Sequence, residues 1–279
     1  QKVLQKELID VSGLIKQIRI IKSDYEIDLL KKACEALDSN FADVPGMVQI
    51  GMTEVELAGR FEAGLRKRGY GGCSKMHAFN QDFFMGNIVT GPSGAAATYF
   101  DGPVGGTGVT PANNPHGAGW RTIQNDNIIY IDYTSVIDGY TADGSRMFVF
   151  GKVSDTIKKG HEAALQIQSE LIEIIKPGIS CETIYETAMK KAEELNLLEN
   201  FMGLGKDKVK FIGHGVGLEL DELPVFAPKV QSEIQPGMTF ALEPKFVFPE
   251  GAVGIENTFV LREDGVEKLT NAPEEIVSC

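Results

Sequence analysis

The chain has 279 residues, of which 43% are hydrophobic and 24% are charged, a balance typical of a folded globular protein. Its formal net charge of −12 argues against nucleic-acid or anionic-membrane partners, because both need basic surfaces. No apolar run reaches the roughly 18–20 residues of a membrane-spanning helix, so we expect no membrane partner.

The four cysteines, Cys34, Cys73, Cys181 and Cys279, lie far apart and form no Cys-x-x-Cys pair. This distribution favours reduced thiols and a cytoplasmic protein, although pairing of an even number of cysteines stays open. The sequence starts at Gln1 and shows no signal-peptide pattern. We therefore interpret it as a fragment with sequence missing upstream.

The predicted helices come in two similar pairs. Capping boxes at Ser23–Glu26 and Thr53–Glu56 open the first pair, and its second helix is predicted to run to about Gly69. Ser154 and Ser180 open the second pair after Gly151. The segments GMTEVEL at 51–57 and GISCETI at 178–184 share a glycine, a hydroxyl cap and a later aliphatic residue. We predict an α+β fold made by duplication, with both halves sharing one sheet system.

The segment IIYIDYTSVIDGYTAD carries an aspartate inside an apolar strand and a second one eleven residues later. A two-residue turn at Asp138-Gly139 predicts a hairpin in which residue numbers of opposed pairs sum to about 277. Asp143 then faces Thr134, and Asp132 lies two residues along the same face. The two carboxylates can therefore converge on one cation.

A second hairpin is predicted around Pro249-Glu250-Gly251, with strands 239–248 and 253–261. Glu243 and Glu256 then lie nearly opposite each other among apolar residues. Like charges in such a place repel, and desolvation increases the repulsion. Bound cations are the simplest way to offset it.

Between these hairpins, His214 lies in the glycine-rich segment FIGHGVG. Each of these residues alone has an ordinary structural explanation, such as an edge-strand aspartate or a turn histidine. Together, four carboxylates and one imidazole form a set able to hold two divalent ions. Ligand softness favours Mn²⁺, Fe²⁺ or Co²⁺, with Zn²⁺ also possible. Two such ions would share and activate a water and polarise a neighbouring carbonyl.

At these residues the sequence resembles the pita-bread metallopeptidases, which include Xaa-Pro dipeptidase (prolidase), aminopeptidase P and methionine aminopeptidase. The ligand order Asp, Asp, His, Glu, Glu occurs here as Asp132, Asp143, His214, Glu243 and Glu256. IRIIKSDYEIDLLKKACE at 18–35 also resembles the start of the prolidase and aminopeptidase P catalytic domain. The resemblance implies two pseudo-symmetric α+β halves around a curved antiparallel sheet.

The resemblance also implies roles for the ligands. Asp132 would chelate the first ion, Asp143 and Glu256 would bridge both ions, and His214 and Glu243 would complete the second. The implied activity is hydrolysis near the N-terminus of short peptides, often before proline, with Glu243 moving the proton. Residues 18–279 would form the catalytic domain, and residues 1–17 the tail of a missing N-terminal domain that helps the chain to dimerise.

Other candidate residues depart from the family pattern. Asp221 stands where the peptidases usually have a substrate-contacting His, and Arg146 corresponds in kind to an Arg that follows the second Asp. His116 in NNPHGAG corresponds either to an upstream active-site His that donates to an oxyanion or to a surface-loop His. His77 is a further candidate for the lining of the substrate pocket. The glycine-rich 91–119 segment lacks the Lys-Ser/Thr of a phosphate loop, so we interpret it as a lid or subunit contact.

We therefore predict a dinuclear metallopeptidase of the prolidase or aminopeptidase P type. Two alternatives stay open. One is another C–N hydrolase or a lyase on the same fold, and the other is a non-catalytic module that binds peptides or proteins. Members of both kinds usually lose metal ligands, whereas this chain keeps all five.

Overall fold

The computed structural model describes residues 8–72, 74–76, 82–83, 86–112 and 115–279. Within these ranges, the α-helices are α1 (Ser12–Ile20), α2 (Asp24–Ala42), α3 (Val44–Met47), α4 (Glu54–Lys67), α5 (Asp155–Ile174) and α6 (Cys181–Glu194). Both predicted capping boxes are present, at Ser23 before α2 and Thr53 before α4. Ser154 and Ser180 also cap their helices as predicted, each accepting a backbone N–H three residues on. None of the helices in the described ranges is long and apolar enough to cross a membrane.

Two larger sheets carry the strands that matter for the site. The first has the order β15-β5-β4-β3, and the second has the order β14-β13-β10-β8-β9. Their strands are β3 (Gly86–Thr90), β4 (Ile128–Ile137), β5 (Tyr140–Val149), β8 (Gly213–Val216), β9 (Leu220–Val225), β10 (Thr239–Leu242), β13 (Asn257–Arg262), β14 (Gly265–Lys268) and β15 (Val277–Ser278). Two-stranded pairs are formed by β1 (Ser74–Lys75) with β2 (Asp82–Phe83), β6 (Gly203–Leu204) with β7 (Asp207–Lys208), and β11 (Lys245–Phe248) with β12 (Gly251–Gly254).

Each half of the chain packs a helix pair against its own strands. Phe61 and Leu65 of α4 share a hydrophobic core with Tyr133 of β4. Ile167 of α5 and Ile184 of α6 belong to another hydrophobic core, which includes strands of the second half. The halves meet where Ser145 donates its backbone N–H to Glu256 O at 3.3 Å and Asp143 donates its own to Thr258 Oγ1 at 3.0 Å. The predicted α+β fold of two halves is therefore confirmed.

The first hairpin has the predicted register. Thr134 pairs with Asp143, and the turn residues Asp138 and Gly139 have φ values of 49° and 87°. A turn with two left-handed residues matches the twist of the flanking strands and sets which residues face each other. Asp132 therefore lies on the same sheet face as Thr134, two residues from the position opposite Asp143.

The second hairpin differs from its prediction, because each long strand is split in two. Pairing runs from Thr239↔Val260 to Leu242↔Asn257 and resumes from Lys245↔Gly254 to Phe248↔Gly251. Glu243-Pro244 and Ile255-Glu256 lie in the gap between the two ladders. Pro244 has no backbone N–H to donate, so the ladder stops beside it. The break therefore leaves Glu243 and Glu256 outside both ladders.

The glycine-rich segment folds over the site as a loop after a short 3₁₀-helix, Gly91–Ala95. Gly108 donates its backbone N–H to Gly117 O at 3.0 Å, and a Cβ on Gly106 would lie 2.3 Å from Gly117 O. Glycine is needed there because the two backbones touch. A role as a lid or subunit contact stays a prediction for this segment.

Candidate metal centre

The predicted ligands line a cleft that encloses about 530 Å³ of space, including its mouth. Phe100, Asp101 and Val104 of the glycine-rich segment form one wall. At the base of the cleft lie Asp132, Asp143, His214, Glu243 and Glu256. The fold thus brings together residues that are up to 124 positions apart in sequence, 256 minus 132.

Asp143, His214 and Glu256 form the tightest group, which we call the metal triad. One ligand atom from each lies within 4.8 Å of the others, and all three side chains are buried. His214 Nε2 is 3.6 Å from Asp143 Oδ2 and 3.9 Å from Glu256 Oε1. Glu243 Oε1 also faces His214 Nε2, at 3.5 Å. Carboxylate oxygens and an imidazole nitrogen at these separations suit a divalent ion.

Lys245 is the site residue that sequence reasoning missed. Its Nζ donates to Asp132 Oδ2 at 2.7 Å, Glu243 Oε2 at 2.7 Å and Glu256 Oε2 at 2.9 Å. We call these three carboxylates the lysine pocket. A signal existed, because Lys245 follows Glu243 by two within the predicted strand 239–248, and residues two apart on a strand share a face.

The buried charges shift the protonation of the cluster. Burial and the Asp132 carboxylate raise the pKa of Asp143 to about 8, and burial together with Asp143 raises that of Glu256 well above its usual range. Burial works against the charge on Lys245, but the carboxylates of the lysine pocket outweigh it and raise the pKa of Lys245. His214 behaves similarly, since burial is outweighed by Asp221, Glu243 and Asp143, and its pKa rises. The cluster therefore favours cations.

One ion fits the metal triad. Glu256 Oε1 is buried and has no hydrogen-bond partner among the described residues, so an atom that needs a positive neighbour points into the triad. The resemblance assigned the other ion to Asp132, Asp143 and Glu256. In the structure, Asp132 and Glu256 already accept hydrogen bonds from Lys245 Nζ.

His116 lines the cleft and is not a surface-loop residue. It is 2% exposed, its Nδ1 lies 2.9 Å from Thr98 Oγ1, and its ring lies 4.9 Å from that of Phe100. Burial lowers the pKa of His116 to about 4, although Asp132 acts in the opposite direction. The imidazole is therefore neutral near pH 7 and carries one N–H.

Asp221 lies at the side of the cleft on backbone with φ of 61°. Its Oδ1 is 3.4 Å from His214 Nδ1, and that ring nitrogen is hydrogen-bonded to Gly215 O at 3.2 Å, so Asp221 acts on a metal-triad residue through its charge. The next residue, Glu222, points away and binds Lys22 Nζ at 2.5 Å and the guanidinium of Arg19. These ion pairs attach the end of α1 to the strand that carries Asp221.

Arg146 has a different place from the predicted substrate contact. It is 2% exposed and donates to Glu256 O at 2.9 Å, to Ala272 O and to Asn257 Oδ1 at 2.8 Å. A guanidinium used up by buried acceptors cannot also bind a substrate in the cleft. Arg146 instead positions the backbone that carries Glu256. The other predicted contact, His77, lies outside the described residues.

A two-half α+β fold whose buried acids and histidine meet at the base of a cleft defines a class of protein, the metal-dependent hydrolases with the pita-bread fold. The chain belongs to Metallopeptidase family M24, whose profile matches residues 28–263. This membership makes it a hydrolase of the exopeptidase type.

Similar proteins include the Xaa-Pro dipeptidase of Pyrococcus furiosus, which is 26% identical over 98% of this chain and 69% of that protein. Among solved structures, the X-Pro aminopeptidase of Thermotoga maritima MSB8 superposes with a TM-score of 0.81 at 26% identity, covering 98% of this chain and 69% of that one. The Xaa-Pro dipeptidase of Bacillus anthracis also has a TM-score of 0.81, at 27% identity, over 99% of this chain and 68% of that one.

Proposed function

We propose that this chain hydrolyses the bond after the N-terminal residue of short peptides, with a preference for proline in the second position. The observation that carries the proposal is the convergence of Asp143, His214, Glu243 and Glu256 at the base of one cleft. The Xaa-Pro preference is supported by the names of the similar dipeptidases and aminopeptidase.

A divalent ion, when bound, supplies a Lewis acid that polarises the scissile carbonyl and makes a water easier to deprotonate. The metal triad would hold it. Glu243 is the residue we assign to proton transfer. Its Oε2 accepts from Lys245, which fixes the side chain, and its Oε1 remains directed at the metal triad. A fixed carboxylate with one oxygen at the reacting centre is the arrangement a general base needs.

We assign His116 to the developing oxyanion. Its neutral imidazole can donate one hydrogen bond, and it lines the cleft beside Asp132. A buried donor is effective there because little water competes with it. Phe100 covers the histidine ring and limits access of water from that side.

The charge of the cleft favours a free amino terminus. Asp101 and Asp221 line its outer part, and the cluster at the base is acidic as well. A protonated α-amino group is attracted to such a surface. Among the described residues lining the cleft there is no arginine to bind a peptide's terminal carboxylate. We therefore expect the enzyme to accept peptides longer than two residues.

The test is a peptide panel in Mn²⁺ or Co²⁺, with Ala-Pro, Ala-Pro-Ala and N-acetyl-Ala-Pro-Ala. We expect release of alanine from the first two and at least about a 100-fold lower rate with the acetylated peptide, which lacks the amino charge. Asp143→Ala and Glu256→Ala should lose bound metal and activity together, because even the loss of a residue that only supports a metal ligand costs about 10–100-fold. Full-length variants that keep metal would contradict the ligand assignment, and an inactive wild type with metal bound would contradict the peptidase assignment.

The oxygen-rich set of metal ligands favours Mn²⁺, and elemental analysis of purified protein would identify the ion. A cytoplasmic location is proposed from the thiols, of which Cys34 and Cys181 are buried and free.

We also propose a homodimer. Leu14, Ile15 and Ile18 of α1 are exposed apolar residues, and a second chain or an upstream domain would cover them. Light scattering of wild type and of Leu14→Glu would test this, with a monomeric wild type as the contradicting result.

A non-catalytic binding role is the second candidate. It is favoured by Asp221, which takes the place of the expected histidine, and by the ammonium group of Lys245 within the acid cluster. Absence of turnover across the panel, combined with retained peptide affinity by calorimetry, would favour it. Breakdown of non-peptide C–N substrates would favour another hydrolase or lyase.

A further inference from the structure

Lys245 is bound by carboxylates as a metal ion would be. Its side chain is 3% exposed, and its three oxygen partners come from β4, from the end of β10 and from the segment before β13. An ammonium group has three N–H donors, and each has one carboxylate acceptor here at 2.7–2.9 Å. The hydroxyl of Tyr130 also donates to Asp132 Oδ2, at 2.6 Å, and fixes that acid.

The surrounding backbone leaves room for this lysine. Lys245 pairs with Gly254 across the β11–β12 ladder. A Cβ on Gly254 would lie 2.7 Å from Lys245 Cγ and 2.7 Å from Pro244 O, so any larger residue would displace the lysine stem. Glu243 lies two residues before this lysine, in the break between β10 and β11. The lysine pocket is therefore a built feature that begins in the local sequence.

The five predicted ligands then divide between two positive groups. Glu256 directs Oε2 to Lys245 and Oε1 to the metal triad. Glu243 does the same, with Oε2 on Lys245 and Oε1 facing His214. Four ionised carboxylates, one ammonium and one divalent ion together carry a net charge of −1. A second divalent ion at Asp132 would have to share its ligands with the ammonium.

We propose that the ammonium of Lys245 replaces one of two metal ions, so that this chain holds a single divalent ion at Asp143, His214 and Glu256. The inference rests on the metal dependence in the proposed function but not on the substrate. It changes the role of Asp132, which holds the lysine and does not bind metal.

Metal stoichiometry tests the inference without substrate. Protein saturated with Mn²⁺ and freed of excess ion should contain one Mn²⁺ per chain by elemental analysis. Its electron paramagnetic resonance spectrum should show the six lines of an isolated ion. Lys245→Ala should bind two ions and show the broadened spectrum of a coupled pair. Lys158→Ala, an exposed lysine of α5, is the matched control and should keep one.

Two Mn²⁺ ions in the wild type, or none, would overturn the inference, as would a folded Lys245→Ala that still binds only one. If Lys245→Ala does not fold, Asp132→Asn serves instead. It should keep the single ion, whereas Asp143→Asn should lose it. Loss of metal from Asp132→Asn would contradict the proposal.

The peptide panel is scored separately. One bound ion without peptide cleavage would contradict the proposed function and support this inference, and two ions with cleavage would do the reverse.

Discussion

At the scale of single residues, Glu256 connects the chemistry of the site to its scaffold. Its two carboxylate oxygens face different partners, and its backbone carbonyl accepts from Arg146 and Ser145. The buried guanidinium thereby holds the backbone that carries this carboxylate. Removing a donor from such a buried network costs more than one ordinary hydrogen bond, because the acceptors stay buried.

His116 should make stability depend on pH. Its folded pKa of about 4 is below the usual 6.5, so between these values the unfolded chain binds a proton that the folded chain does not. The contribution of His116 to the free energy of unfolding is fully present above pH 6.5. It falls by on the order of 3 kcal/mol as the pH drops towards 4. Urea unfolding of wild type and His116→Gln at pH 7 and pH 4.5 measures the difference. Equal losses in both proteins would contradict the assignment.

His161 of α5 is another buried histidine. It is 4% exposed, and its Nε2 lies 2.8 Å from Glu274 O. Burial lowers its pKa as well, so His161→Gln should be included in the same experiment as a second titrating group. Its partner comes from the C-terminal segment, which helical periodicity cannot reveal.

At the scale of elements, α4 anchors the glycine-rich segment that covers the cleft. Glu54 is buried at the first turn and accepts the backbone N–H groups of Thr90 at 2.7 Å and Gly119 at 3.0 Å, and the Ser93 hydroxyl also donates to it. From sequence, Glu54 is only an interior residue of a capping box. Its partners lie 36 to 65 positions away, so only the folded chain shows its role.

Glu54→Ala should lower the free energy of unfolding by about 2–4 kcal/mol, because buried N–H groups lose their acceptor. The loop that bears Phe100 and His116 should loosen at the same time. Denaturant titration measures the first effect, and faster amide exchange at residues 96–112 measures the second. Glu162→Ala, an exposed position of α5, is the control and should change stability by less than about 0.5 kcal/mol. A Glu54 variant as stable as this control would refute the anchoring role.

The metal triad spans both halves of the chain. Asp143 belongs to the first half, and His214 and Glu256 belong to the second. An ion there would cross-link the halves across the Ser145–Glu256 contact. It would also offset the repulsion between buried acids that otherwise raises the pKa values of Asp143 and Glu256.

Removal of metal should therefore lower Tm. An ion present at about 100 times its Kd contributes about 2.7 kcal/mol, which corresponds to roughly 5 °C or more at this chain length. Differential scanning calorimetry in Mn²⁺ and in EDTA measures the shift. Asp143→Asn should show none, because it cannot hold the ion. An equal Tm shift in wild type and Asp143→Asn would mean that the ion binds to and stabilises another part of the chain.

Local patterns determined much of this protein. The capping boxes set the starts of α2 and α4, and the Asp138-Gly139 turn set the register that places Asp143 opposite Thr134, because a tight turn leaves one pairing. The order of acids around His214 predicted the candidate site, since each acid interrupts an apolar stretch of sequence.

Tertiary structure alone decided what those acids bind. Lys245 follows Glu243 by two residues in sequence, but its other partners, Asp132 and Glu256, come from segments that meet it only in the folded chain. The same holds for the split of the second hairpin at Pro244 and for the use of Arg146 inside the core. Charge balance in a buried cluster depends on distances across several elements, and no short segment of sequence contains them.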